Sequence, residues 1–230
     1  MAIELWWGSG SGPAWRVMLA LQHKGLAWTS HLISFSKRET RTPEFLALNP
    51  RGKVPVLRAD GLVLNESIAI LAFLDAAHPE RPLFGTSPAQ TGEVWRAVME
   101  YESHGSPTIG AVSRPILFED AAAKADTIRA AVPALEAELD RFASSLSPTG
   151  HLVGDTISAA DLVWYAGFGG LVRALTRPQA AALQLGLFPL GGRWPAIARF
   201  AANVEAIDGF ASTVPPHWLE GDAPYPGTIA

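Results

Sequence analysis

The strongest constraint on the fold is the way hydrophobic spacing changes along the first 78 residues. Ile3 to Trp7 is an apolar run of strand length. A glycine/serine stretch follows at residues 8–12, and Pro13 then opens a helical pattern reaching Lys24. In that pattern Ala14, Val17, Met18 and Leu21 share one face; Pro13 suits the first helical position and Gly25 the stop. Trp28 to Ile33 alternates as a strand does. Pro43 to Leu48 makes one or two helical turns, ended by Asn49 and Pro50. Val54 to Leu57 and Leu62 to Leu64 read as short strands around a turn at Asp60 and Gly61. Ser67 is placed to cap a helix carrying Ile68, Ile70, Leu71, Phe73 and Leu74. The order β-α-β-α-β-β-α predicts a mixed central sheet covered by helices.

Beyond it, His78, Pro79, Glu80, Arg81 and Pro82 break the pattern. The spacing predicts a linker over residues 79–90 and a helical domain over residues 91–230. Ile128, Val132, Leu135, Leu139 and Phe142 keep helical spacing, with Pro133 predicting a kink or a split into two helices. Ser158 with Asp161 three residues on forms a capping box, with Ile157 as its staple. The helix it starts is apolar nearly all round and is expected at the centre of its domain. Trp194 to Ile207 gives a last helix, and the tail from Pro215 is expected to be irregular. The fold class is therefore α/β followed by all-α.

Composition removes several functions. The 230 residues contain no cysteine, which excludes disulfides, thiolate metal sites and any thiol nucleophile of the protein itself. If sulfur chemistry occurs, a ligand supplies the sulfur. No metal site is read. The net charge is −4 and no block of like charge stands out, so neither nucleic acid nor an anionic membrane is an expected partner. No charged leader precedes the opening MAIELWW and no uninterrupted apolar stretch is long enough to span a bilayer, so the expected location is cytoplasmic.

Two segments carry the chemistry. Residues 49–57 read NPRGKVPVL and residues 65–71 read NESIAIL. A proline opening a strand beside a groove is a candidate cis peptide. A serine where a strand passes into a helix sits among free backbone N–H groups that suit a carboxylate. These segments resemble the glutathione-site motifs of cytosolic glutathione transferases. LVGDTISAADL, residues 152–162, resembles that family's helical-domain motif. Order, spacing and length match along essentially the whole chain, and the pattern is similar to serine-type, theta- and zeta-like members of bacterial style.

The resemblance implies a thioredoxin-like first domain over residues 1–78 that binds glutathione as co-substrate. It implies a cis Val54-Pro55 bond, with the Val54 backbone pairing with the cysteinyl residue of glutathione as an added strand does. Ser67 is expected to hold the γ-glutamyl carboxylate, Glu66 the γ-glutamyl ammonium, and Lys53, less directly Arg41 or Arg38, the glycyl end. The thiol-activating residue belongs in the loop after the first strand, where the family places Tyr, Ser or Cys. Residues 11–16, SGPAWR, resemble the serine pattern. Ser11 is the expected catalytic residue, hanging over a helix capped by Gly12, and Ser9 is the alternative. The pocket for a hydrophobic electrophile is expected between this loop and the first long helix of the second domain, where His104 and Arg114 are candidate polar groups.

The expected activity is conjugation of the glutathione thiolate to a hydrophobic electrophile, a detoxification reaction, in a homodimer. Glutathione-dependent peroxide reduction, thioether cleavage and a non-catalytic binding module are the alternatives. The missing cysteine argues against glutaredoxin-type chemistry and against the Ser-Ser-Cys isomerase class; the first strand ends in Trp6 and Trp7 with no tyrosine there, which argues against the tyrosine-type classes.

Overall fold

Every element read from the first 78 residues forms in the computed structural model, which describes residues 2–220 and residue 229. They are β1 (Ile3–Trp7), α1 (Gly12–His23), β2 (Thr29–Leu32), α2 (Pro43–Leu48), β3 (Val56–Ala59), β4 (Leu62–Asn65) and α3 (Ser67–Ala77). β1 pairs parallel with β2 and antiparallel with β3, and β3 pairs antiparallel with β4, giving the order β2-β1-β3-β4. The parallel pair needs a crossover, which α1 supplies. Period-two alternation sends Ile3, Leu5 and Trp7 into the core. There they join Val17 and Leu21 of α1 and Ile70, Leu71 and Leu74 of α3, all fully buried. On the opposite sheet face, Arg58 pairs with Glu4 at 2.6 Å, and His31 stacks on Trp6 with ring centroids 4.4 Å apart.

Two of the boundary shifts from the reading of the sequence bear on the site. β3 begins at Val56 rather than Val54, because Pro55 has no N–H to give the ladder; the Val54-Pro55 bond is cis. Ser67 is the first residue of α3 rather than its cap. β4 runs to Asn65, so the cap position falls on Glu66, whose φ of 66° lies in the left-handed region.

By contacts the chain divides into two units, Met1–Leu83 with Ile207–His217 and Phe84–Ala206 with Trp218–Ala230. Residues 207–217, which the spacing places in the helical region, thus group with the sheet. They are fastened to α1. Trp15 Nε1 donates to Thr213 Oγ1 at 2.8 Å, and Gln22 Nε2 donates to Ser212 Oγ at 2.8 Å. Gly209 suits the turn here, since its φ of 75° is one that L side chains rarely adopt. The far end of α1 is tied to α3 by Lys24, whose Nζ donates to Asp75 at 3.0 Å and to the carbonyls of His78 and Arg81. His23 beside it is held down to about 4 by burial, with the Arg81 and Lys24 cations adding to the effect.

The second unit is helical: α4 (Pro88–Glu100), α5 (Ser106–Phe118), α6 (Ala125–Ser145), α7 (Ala159–Leu175), α8 (Pro178–Ala181), α9 (Leu190–Arg193) and α10 (Pro195–Glu205). A π-helical turn, Tyr101–Gly105, joins α4 to α5. Pro133 lies inside α6 without dividing it in two. α7 is buried along almost its whole length, with Trp164 and Phe168 packed against Phe142. Its capping box is complete: Ser158 N–H donates to Asp161 Oδ2 at 2.8 Å, and Asp161 N–H reaches Ser158 Oγ at 3.4 Å. Asp161 Oδ1 also accepts from Leu152 N–H at 2.9 Å. Burial pushes the Asp161 carboxyl up, against the lowering by these hydrogen bonds. Among the described residues no helix is long and apolar enough to cross a membrane.

Candidate functional site

Strand register gathers the motif residues at one end of the sheet. Trp6 of β1 stands opposite Val56 of β3, and Val56 stands opposite Asn65 of β4. The chain after Trp7, the chain before Val56 and the chain after Asn65 therefore leave the sheet at the same edge. These are the loop of Ser9 and Ser11, the Val54-Pro55 turn, and the Glu66-Ser67 junction. Two strand spacings separate β1 from β4, about 10 Å. Three extended residues span about the same length. β2 ends at this edge too, with Leu32 opposite Trp7.

The first loop is built from small residues. Ser11 N–H donates to the Gly8 carbonyl at 3.0 Å, and Gly10 takes a φ of 87° that favours glycine. A Cβ on Gly8 would stand 2.3 Å from the Phe35 ring, so glycine there lets the aromatic side chain approach the backbone. Ser11 itself caps α1: its Oγ accepts from Ala14 N–H at 3.3 Å, and Gly12 is the first helical residue. This moves the cap one residue from the expected Gly12, because a hydroxyl can satisfy an end N–H and glycine cannot. A serine oxygen in that position lies at the positive end of the helix dipole. Ser9 Oγ shares a hydrogen bond with His217 Nδ1.

The second loop hangs on Asn49, which is buried. Its Nδ2 donates to the Lys53 carbonyl at 2.7 Å, its Oδ1 accepts from Arg51 N–H at 3.1 Å, and its own carbonyl accepts from Gly52 N–H at 2.8 Å. Gly52 has a φ of 60°, and a Cβ there would meet the Thr40 carbonyl at 2.8 Å and Arg41 Nη1 at 2.7 Å. Arg41 thus lies against this loop, and it, Arg38 and Lys53 are all exposed. Pro55 is buried and Val54 half-buried. At the third position Ser67 is buried, and Glu66 is exposed in its left-handed conformation.

A cavity of about 510 Å3 adjoins the first loop, lined among others by Ser9, Leu32, Phe35, Lys37 and His217. It belongs to the first unit. Leu32 and Phe35 are about half exposed, so it offers apolar surface beside the serine loop. Of the groups considered for a second-substrate pocket, His104 lines a cavity of about 470 Å3 within the helical unit with Arg96, Glu100, Glu138 and Arg141, and Arg114 is exposed. Trp7, Trp15, Trp164 and Phe168 are core residues. Sequence reasoning missed Asn49, Phe35 and His217. The turn-forming Asn-Pro pair was a signal for the first; His217 carried none, standing 208 residues from Ser9 in sequence.

Comparison with known proteins gives the same frame. Residues 11–77 match the glutathione S-transferase N-terminal domain and residues 106–208 the glutathione S-transferase C-terminal domain. The chain is 27% identical over 224 residues to glutathione S-transferase A of Pleuronectes platessa, covering 95% of this chain and 93% of that protein. It is 31% identical over 195 residues to glutathione S-transferase 4 of Zea mays, covering 82% and 84%. Among solved structures, a glutathione S-transferase from the Antarctic clam Laternula elliptica superposes with a TM-score of 0.82 at 27% identity, over 97% of this chain and 96% of that one. With both domains matched in order and such identity along most of its length, the chain belongs to the glutathione S-transferase family.

Proposed function

We propose that this chain is a serine-type glutathione transferase that conjugates the thiolate of glutathione to a hydrophobic electrophile. The observation that carries the reading is the position of Ser11: its Oγ caps α1 at the sheet edge shared with Val54 and Ser67. A hydroxyl whose oxygen already accepts the Ala14 N–H keeps its own proton for donation. Directed at a sulfur beside the helix start, that donor and the dipole favour the thiolate over the thiol. The tripeptide lies along the edge, its cysteinyl backbone against Val54, its γ-glutamyl carboxylate at Ser67, its ammonium at Glu66 and its glycyl end toward Lys53. The thiolate attacks the electrophile, a carbon–sulfur bond forms with the electron pair from sulfur, the leaving group departs with its pair, and the conjugate is released. The groove with Leu32 and Phe35 suits the apolar part of the electrophile. A cytoplasmic homodimer acting in detoxification fits this reading.

The test is the thiol pKa of bound glutathione, followed by thiolate absorbance. A free thiol titrates near 8.5, and each unit of lowering needs about 1.4 kcal/mol of differential stabilisation. Ser11→Ala is expected to raise the bound value by about one to two units and to cut turnover at neutral pH about ten- to a hundredfold. An unchanged titration in Ser11→Ala sinks the assignment. Retention of wild type on immobilised glutathione separates binding from catalysis, and failure to bind removes the reading altogether.

A further inference from the structure

We propose that His217 is a positioning residue for Ser11, acting through Ser9; this inference rests on the reading of Ser11 given above. The loop after β1 reads Gly-Ser-Gly-Ser over residues 8–11. Glycine gives backbone freedom and offers nothing for the rest of the protein to grip. With Ser11 assigned to the ligand, the Ser9 hydroxyl is the loop's other side-chain handle, and it is bonded to Nδ1 of His217.

His217 is itself held by a frame that returns to the same helix. It ends the segment Ile207–His217, which α1 fixes through Trp15 to Thr213 and Gln22 to Ser212, both at 2.8 Å. Thr213 and Trp15 are fully buried, so the first of these bonds is shielded from water. The result is a closed circuit. Ser11 caps α1, α1 anchors the segment, the segment presents His217, His217 holds Ser9, and Ser9 stands two residues from Ser11. Both ends of a glycine-rich turn are thereby referred to one rigid element. Donor placement matters steeply for a charge-stabilising site, where a displacement of about 1 Å costs about a hundredfold. A merely structural histidine in the tail would leave the bound thiol unaffected.

The experiment compares four proteins by the bound-thiol pKa, kcat and the KM for glutathione. His217→Ala is expected to raise the thiol pKa and to lower kcat at neutral pH about tenfold, with the KM for glutathione changed less than about twofold, because Val54 and Ser67 are untouched. His217→Asn places an amide atom where Nδ1 stands and is expected to restore both values; His217→Gln, which reaches to the Nε2 position, is not. Ser9→Ala is expected to reproduce His217→Ala, and the double variant to be no worse than either alone. Should His217→Ala fail to fold, the contrast between His217→Asn and His217→Gln decides. Identical thiol titrations in those two, an inert His217→Ala, or additive Ser9 and His217 effects overturn the inference. A raised pKa in Ser11→Ala together with an inert His217→Ala overturns this inference alone; an inert Ser11→Ala overturns the reading beneath it.

Discussion

At the scale of single residues, the binding edge pairs relaxed and strained positions. Ser11 caps α1 from an ordinary extended backbone conformation, whereas Glu66 holds a left-handed φ of 66° that a non-glycine residue adopts at a cost of about 1–3 kcal/mol. That strain sits where the γ-glutamyl group is proposed to bind. A residue away from the edge supplies a pH test. His23 titrates near 4 in the folded chain against about 6.5 in the unfolded one. Above 6.5 both states are neutral there and its contribution is complete. As pH falls from 6.5 toward 4 the unfolded chain gains the proton and the folded chain does not, so stability drops and the contribution is lost below 4. His23→Gln is expected to flatten this part of the pH dependence, read as urea midpoints across the window. That Ser11, Glu66 and Ser67 stand at strand-to-helix junctions was legible because short motifs surround them. His217 was not, because a contact across 208 residues is set by tertiary packing and leaves no local pattern.

At the scale of elements, α7 depends most on its first turn. Asp161 is fully buried and accepts from Leu152 N–H, Ser158 N–H and the Ser158 hydroxyl. Asp161→Ala strands all three donors and is expected to destabilise the protein by about 2–4 kcal/mol, against about 1 kcal/mol for Ser158→Ala. Denaturant midpoints with an unchanged slope check both. The box was readable from the spacing of Ser158 and Asp161, as were the four strands from their length and alternation. The displaced starts of β3 and α3 were less so. Pro55 shortens the ladder at one junction, and at the other the helix start depends on how far β4 pairs before Glu66 turns the chain.

At the scale of the whole molecule, the proposed homodimer is expected to sediment at twice the 24.5 kDa chain mass, and a monomer at micromolar concentration would remove it. The two-part plan was visible from the change of periodicity and the proline-rich stretch after residue 78. The grouping of Ile207–His217 with the sheet was not, since the segment follows the last helix in sequence and its contacts with α1 leave no local pattern. That grouping bears on how such chains diversify. A recombination crossover placed between the two halves of the gene joins one parent's α1 to the other parent's Thr213 and His217. Trp15 and Ser9 would then descend from one lineage and their partners Thr213 and His217 from another, so exchange of the helical half also reaches the sheet half.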